Sequence, residues 1–187
     1  MILFGNRSLE SMRDIALPSD SSTSNLLMKW ILGQRGLDPK LTPMGPDIET
    51  MLEECDGALI IGDRALSAAL NNPELVRMDL GSEWTKITGL PMVFGVFAVR
   101  KDSPSGFVNE ARESMLRSYN LFLDDEVTKA AVASIASQKI AIPEHRIVTY
   151  FESEVSNILD DSSIEGLQIF LDEVCQMKSD ASWFESA

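Results

Sequence analysis

The sequence predicts an α/β fold for the first hundred residues and a mainly helical part after them. Short apolar runs alternate with amphipathic stretches up to about residue 100. One run, GALIIGD at residues 57–63, carries glycine near both ends, which is typical of a buried strand in a parallel sheet. After residue 100 the amphipathic stretches follow one another almost without strands, so helices dominate there.

The first elements follow from local patterns. MILF at residues 1–4 and the apolar run at 15–17, which ends at Pro18, are predicted strands. A helix is expected over 24–34 because its apolar residues share one face. An extended piece and a short helix come next. The buried strand at 57–63 then leads into another helix.

Residues 78–91 predict a turn, a short helix and a stop. Gly89 suits the left-handed position after the helix, and Pro91 follows it. The next run, MVFGVFAV at 92–99, is almost unbroken and predicts a central strand buried on both faces, with a bend at Gly95.

The second half poses a packing problem. Its helices need an apolar surface to cover, yet few strands follow residue 100, so part of a sheet is expected to be missing. Ser162 and Glu165 have capping-box spacing for the last helix, and the tail SDASWFESA is expected to be loose.

Composition excludes several classes of protein. The chain carries 16 basic and 29 acidic residues, a net charge of −13, which argues against nucleic acid and anionic membrane surfaces as partners. Two cysteines and one histidine give no disulfide framework, no metal-spacing pattern and no histidine-rich metal site. The first ten residues lack signal-peptide architecture, and a cytoplasmic location is expected.

A polar turn before the first helix is the leading candidate site. Seven consecutive positions, 19–25, are Ser, Asp, Thr or Asn, between a strand and a helix N-terminus. Free N–H groups and the helix dipole favour an anion there, and hydroxyls from Ser21, Ser22, Thr23 and Ser24 add donors. Ordinary helix capping needs only one such residue, and the spacing alone leaves both interpretations open.

Two further segments carry polar groups. The predicted strand at 57–63 ends in Gly62 and Asp63, at the edge where ligands of open α/β sheets gather, although helix capping by Asp63 is favoured on the pattern alone. In DLGSEW, residues 79–84, a capped turn that packs Trp84 into the core is favoured over a ligand site.

Together these segments resemble the chorismate dehydratases of the futalosine route to menaquinone. The resemblance rests on LPSDSSTSNLL, ALIIGDRAL and DLGSEWTKITGLPMVFGVFAVRK in this order, and continues more weakly through SIEGLQIFLDEV. It implies a periplasmic-binding-protein type II fold and a cytoplasmic lyase that converts chorismate to 3-[(1-carboxyvinyl)oxy]benzoate. It also implies a dicarboxylate site at Ser22, Thr23, Ser24, Asn25, Gly62 and Asp63, with Asp63 a speculative base. The resemblance implies no metal and no organic cofactor.

The sequence departs from this family in two ways. Members begin with a further half-lobe bearing an Asn that faces the ligand, and their Ser-Arg-Thr-Ser turn has Ser22 at the Arg position here. We therefore expect residues 1–94 to form the complete second lobe, and 95–187 the return strand and helices of a first lobe without its sheet. Three explanations of the missing half-lobe are open: a fragment, a mis-called start, or half of a split protein. The expected partner is a complementing N-terminal half or a second copy in a homodimer. An inactive remnant and a small-carboxylate-binding protein are the alternatives.

Overall fold

The computed structural model describes residues 1–177 and 183 and divides the chain into two compact units. The first unit combines Met1–Val93 with the helical segment that begins at Asp160, and the second contains Phe94–Leu159. The assignment of 1–94 and 95–187 to lobes stays a prediction. Apart from Trp183, the expected loose tail SDASWFESA lies outside the described residues.

A five-stranded sheet organises the first unit, in the order β3-β2-β4-β1-β5. The strands are β1 Ile2–Gly5, β2 Asp14–Pro18, β3 Lys40–Met44, β4 Gly57–Ile60 and β5 Val76–Asp79. β2 pairs in parallel with β3 and β4, as expected for an α/β unit, but β1 is antiparallel to β4 and β5, which the sequence did not predict. The link from β1 to β2 is too short for the crossover that parallel strands require.

Eight α-helices complete the described fold. They are α1 Ser22–Gln34, α2 Ile48–Glu54, α3 Gly62–Asn71, α4 Leu80–Thr88, α5 Ser105–Asp124, α6 Glu126–Ile140, α7 Glu144–Thr149 and α8 Asp161–Ile169. A wider π-helical turn extends α7 over Tyr150–Glu154 and another extends α8 over Phe170–Val174.

Alternating strand residues build a core on each face of the sheet. Leu3 and Ile15 join the apolar side chains of α1, α4 and α8, whereas Phe4 and Ala16 join those of α2 and α3. Each of α1 to α4 follows a strand directly or after a short turn, so the end of the strand sets where the helix begins.

Two boundaries differ from the sequence predictions. Val76–Asp79, only partly included in the predicted turn, forms edge strand β5 because β1 offers it a pairing partner. Helix α8 is capped by Asp160, which accepts from the Ser163 N–H at 2.8 Å, whereas the predicted cap, Ser162, donates its hydroxyl to Asp160.

The second unit is helical, with a small core at Val108, Ala133, Ile142 and Ile147. The predicted central strand at 92–99 is wrong: the segment has no regular structure, and Phe94 and Phe97 are 58% and 87% exposed. A strand needs a neighbouring backbone, and none among the described residues pairs with it. Within the described part of the chain, no helix is both long and apolar enough to cross a membrane.

Candidate functional site

The carboxyl edge of the sheet gathers the predicted site residues. Ala16 of β2 lies opposite Ala58 of β4, so the two strands end together. Ile2 of β1 pairs with both Ile60 of β4 and Asp79 of β5, which brings the end of β5 to the same edge. Helices α1, α3 and α4 therefore begin at one edge of the first unit, as the sequence pattern predicted for α3.

The N-terminus of α1 uses one serine as its cap. Ser21 accepts from the Ser24 N–H at 3.4 Å and donates its hydroxyl to Ser24 Oγ at 2.7 Å. Ser24 is buried and donates in turn to the sulfur of Met1 at 3.0 Å. Capping thus occupies Ser21 and Ser24, and the Ser24 hydroxyl is already hydrogen-bonded.

The two intervening residues have the opposite character. Ser22 and Thr23 lie in the first turn of α1 with exposed side chains. Within the described residues, neither hydroxyl makes a hydrogen bond. They combine free hydroxyl donors with the free N–H groups of a 13-residue helix, which is suitable chemistry for a carboxylate.

Asn25 links α1 back to β2. Its Nδ2 donates to the carbonyl of Pro18 at 3.0 Å, which orients the amide. Its Oδ1 is buried and has no hydrogen-bond partner among the described residues. The Asn25 Oδ1 can therefore still accept a hydrogen bond from a donor next to the site.

The start of α3 forms the neighbouring wall. Gly62 has a φ of 62°, a left-handed conformation that favours glycine. Asp63 lies exposed in the first turn, and the N-cap position is Ile61, so the proposed capping role of Asp63 is not realised. Arg64 pairs instead with Asp20, whose carboxylate lies 2.5 Å from the Arg64 Nη2.

The Asp20–Arg64 pair was missed by sequence reasoning. Its partners are separated by 44 positions, and neither belongs to a motif that predicts the contact. The sequence offered only a weak indication of this pair, because Asp20 lies in the polar run and Arg64 directly follows Asp63. The pair joins the loop before α1 to the first turn of α3.

The DLGSEW segment has the structural role that the sequence favoured. Asp79 caps α4 by accepting from the Ser82 N–H at 2.8 Å, and Trp84 is completely buried. Burial alone would raise the pKa of Glu83, but hydrogen bonds and charge from Arg35, with help from Lys86, hold that pKa below its usual value. Glu83 is therefore an ionised, paired carboxylate.

A groove of about 440 Å³ lies beside β5. It is lined by residues of β5 and α4 and by Ser8, Leu9, Glu10 and Arg35. Of the three candidate segments, only DLGSEW contributes residues to this groove. Among the described residues, no cluster of three or more His, Cys, Asp or Glu side chains is placed to hold a metal ion.

The fold and this edge define an α/β protein with a candidate carboxylate site at a helix N-terminus. The chain belongs to the menaquinone biosynthesis family, whose model matches residues 1–176. It is 33% identical to a chorismate dehydratase from Thermus thermophilus over 117 residues, which cover 54% of this chain and 43% of that protein. Membership of a menaquinone biosynthesis family, which the three motifs predicted, is thus confirmed.

Structural comparison gives a second relationship. The crystal structure of protein AF1704 from Archaeoglobus fulgidus matches with a TM-score of 0.67 and 18% identity, covering 94% of this chain and 68% of that one. At this identity the similarity concerns the fold alone. The matched region of the chorismate dehydratase is less than half of its length.

Proposed function

We propose that this chain contributes the substrate site of a chorismate dehydratase-like lyase. The observation that carries the proposal is the exposed pair Ser22 and Thr23 at the N-terminus of α1, in a chain of the menaquinone biosynthesis family. The relative named chorismate dehydratase supports the choice of substrate. The free N–H groups of α1 and these two hydroxyls hold one carboxylate of chorismate.

The reaction removes the ring hydroxyl and a proton from the adjacent carbon, and releases water together with 3-[(1-carboxyvinyl)oxy]benzoate. Formation of an aromatic ring provides the driving force, so the protein mainly positions the substrate and excludes water. Gly62 and Asp63 border the ligand from α3. The exposed Asp63 is one candidate for the base, and a carboxylate of the substrate is the other.

The two-lobed periplasmic-binding-protein type II fold belongs to the same proposal. Its support is the path of the chain, which leaves the first unit after Val93 and returns to it at Asp160. Two such connections fit two crossing segments between lobes. The antiparallel β1 inserted between β4 and β5 fits a chain that enters this lobe from another one.

The site is tested with Thr23→Val in this chain, with chorismate turnover followed by loss of the diene absorbance. Loss of a hydrogen bond to a charged group, worth about 1.5–3 kcal/mol, is expected to lower turnover about tenfold or more. Ser162→Ala removes a hydroxyl from the corresponding position of α8 and is the control, expected to leave turnover unchanged. Equal turnover of Thr23→Val and the parent chain would contradict the anion site.

A second candidate, a split half that requires another polypeptide, is favoured by residues 93–99. Phe94, Val96, Phe97 and Val99 are exposed; in an extended strand, Phe94 and Val96 would lie on one face and Phe97 and Val99 on the other. Among the described residues, no backbone hydrogen bond joins this segment to another part of the chain. A polypeptide that supplies strands on both sides would satisfy the segment.

Native mass spectrometry of the protein from its source tests this candidate. A bound second polypeptide is the expected result, with slow amide hydrogen exchange over 93–99, whereas a single longer chain would contradict a split half. A stable 187-residue monomer that turns over chorismate would reject it and favour the complete enzyme. A stable monomer without turnover would favour the inactive remnant.

A further inference from the structure

The ion pair between Asp20 and Arg64 lies between the two predicted walls of the site. Asp20 precedes the cap of α1, and Arg64 belongs to the first turn of α3. Both side chains are about half exposed, at 44% and 48%. An ion pair this open to water is weak and easily exchanged.

The guanidinium of Arg64 is only partly used. Its Nη2 donates to Asp20 Oδ2, and within the described residues its Nε and Nη1 donate to no other group. A guanidinium offers five donors in a planar fork that matches a carboxylate through two parallel hydrogen bonds. Arg64 therefore keeps unused donors for a carboxylate.

Local charge matters here because the overall charge of −13 does not attract an anion. The first turn of α1 provides hydroxyls and N–H groups but no cation, since Ser22 and Thr23 are neutral. A ligand with two carboxylates needs a second anchor. Arg64 is a cation that already contacts the loop leading into α1.

We propose that Arg64 binds the second carboxylate of the substrate and that Asp20 holds the guanidinium until the substrate displaces it. The inference rests on the proposed function and identifies how this site recognises a dicarboxylate. Asp20 competes with the ligand for Arg64. Removal of the Asp20 charge should therefore favour binding, whereas loss of Arg64 should weaken it.

Calorimetric titration of this chain with chorismate tests these opposite signs. Arg64→Gln should weaken binding about tenfold, and Arg64→Lys should weaken it less because the charge is kept but the fork is lost. Asp20→Asn should tighten binding about threefold or more as competition is removed. Lys29→Gln, which removes an exposed charge from α1 itself, is the control and should change binding little.

The double variant separates exchange from simple charge repulsion. If Asp20 acts by occupying Arg64, Asp20→Asn should no longer tighten binding in the Arg64→Gln background. Weaker binding by Asp20→Asn, or unchanged binding by Arg64→Gln, would overturn the inference while leaving the proposed function intact. A parent chain that does not bind chorismate would overturn the proposed function, and this inference with it.

Discussion

Arg35 donates two hydrogen bonds to a single oxygen of Glu83, from Nε at 3.0 Å and from Nη2. The Glu83 side chain is 7% exposed, so the pair ties the end of α1 to the buried side of α4. Lys86 also approaches Glu83, at 3.5 Å, but it is largely exposed. The ionised state of Glu83 therefore depends mainly on Arg35.

Arg35→Met should lower the free energy of unfolding by about 2 kcal/mol, because it leaves a buried carboxylate with only a solvated lysine. Urea denaturation at neutral pH measures this change. The double variant Arg35→Met with Glu83→Gln should lose less than the sum of the single variants. Strict additivity would show that the two side chains are not coupled.

Trp84 is the second stability test. Its ring lies 5.2 Å from that of Trp30 and 5.9 Å from that of Phe170, yet its buried Nε1 has no acceptor among the described residues. Trp84→Ala should cost about 3–5 kcal/mol through the cavity it creates. Trp84→Phe should cost less than about 1.5 kcal/mol, because an unsatisfied N–H is removed along with the lost packing.

Thermal and urea unfolding of both Trp84 variants gives these values. The phenylalanine variant separates packing from polar satisfaction. Equal losses for Trp84→Ala and Trp84→Phe would contradict the account, since they would mean that the indole N–H has a strong partner in solution.

Gly166 and Gly106 make a matched pair of helical glycines. A Cβ on Gly166 of α8 would come 2.5 Å from the Pro91 carbonyl oxygen, whereas one on Gly106 of α5 would meet nothing within 4 Å. Gly106→Ala should stabilise the chain by about 0.4–1 kcal/mol by restricting the unfolded state. Gly166→Ala should destabilise it by about 1–3 kcal/mol through overpacking.

The urea concentration at half-unfolding is measured for each variant and compared with the parent chain, with the dependence of the unfolding free energy on urea unchanged. Opposite shifts are expected. A stabilising Gly166→Ala would show that α8 does not pack closely on the Leu90–Pro91 turn in solution.

Acid should weaken the contribution of Asp56. Hydrogen bonds from the Arg13 side chain and N–H, both at 3.0 Å, and the nearby Arg7 lower the pKa of Asp56 to about 2. An unfolded Asp titrates near pH 3.9, roughly, so the stabilisation is complete above that pH and disappears as pH falls towards 2. Asp56→Asn should therefore destabilise the chain at pH 6 but hardly at pH 2.

Urea unfolding of the parent chain and Asp56→Asn across this pH range provides the check. Asp102→Asn is the control, because Asp102 pairs with Arg100 only two positions away and both are exposed. Its cost should be small at every pH. An Asp56→Asn cost that stays constant from pH 6 to pH 2 would contradict the pKa shift.

The candidate site was predictable where its signal was local. The polar run at 19–25 predicts a helix N-terminus at Ser22 and Thr23, and the predicted strand at 57–63 puts Asp63 at the sheet edge. The sequence did not predict which residues of the run cap the helix and which stay free. Ser21 and Ser24 become cap partners because of the backbone path of the turn. Asp20 and Arg64 meet only because β2 and β4 are neighbours.

The sequence by itself determined the family, the alternating elements of the first unit and the role of Trp84, since periodicity, capping residues and motifs act over a few positions. Only the tertiary structure decided that β1 is antiparallel, that Val76–Asp79 pairs as an edge strand and that 92–99 finds no partner strand within residues 1–177. The physical reason is that a strand is completed by the backbone beside it. Apolar character predicts a tendency to pair, but the pairing depends on a distant segment of chain.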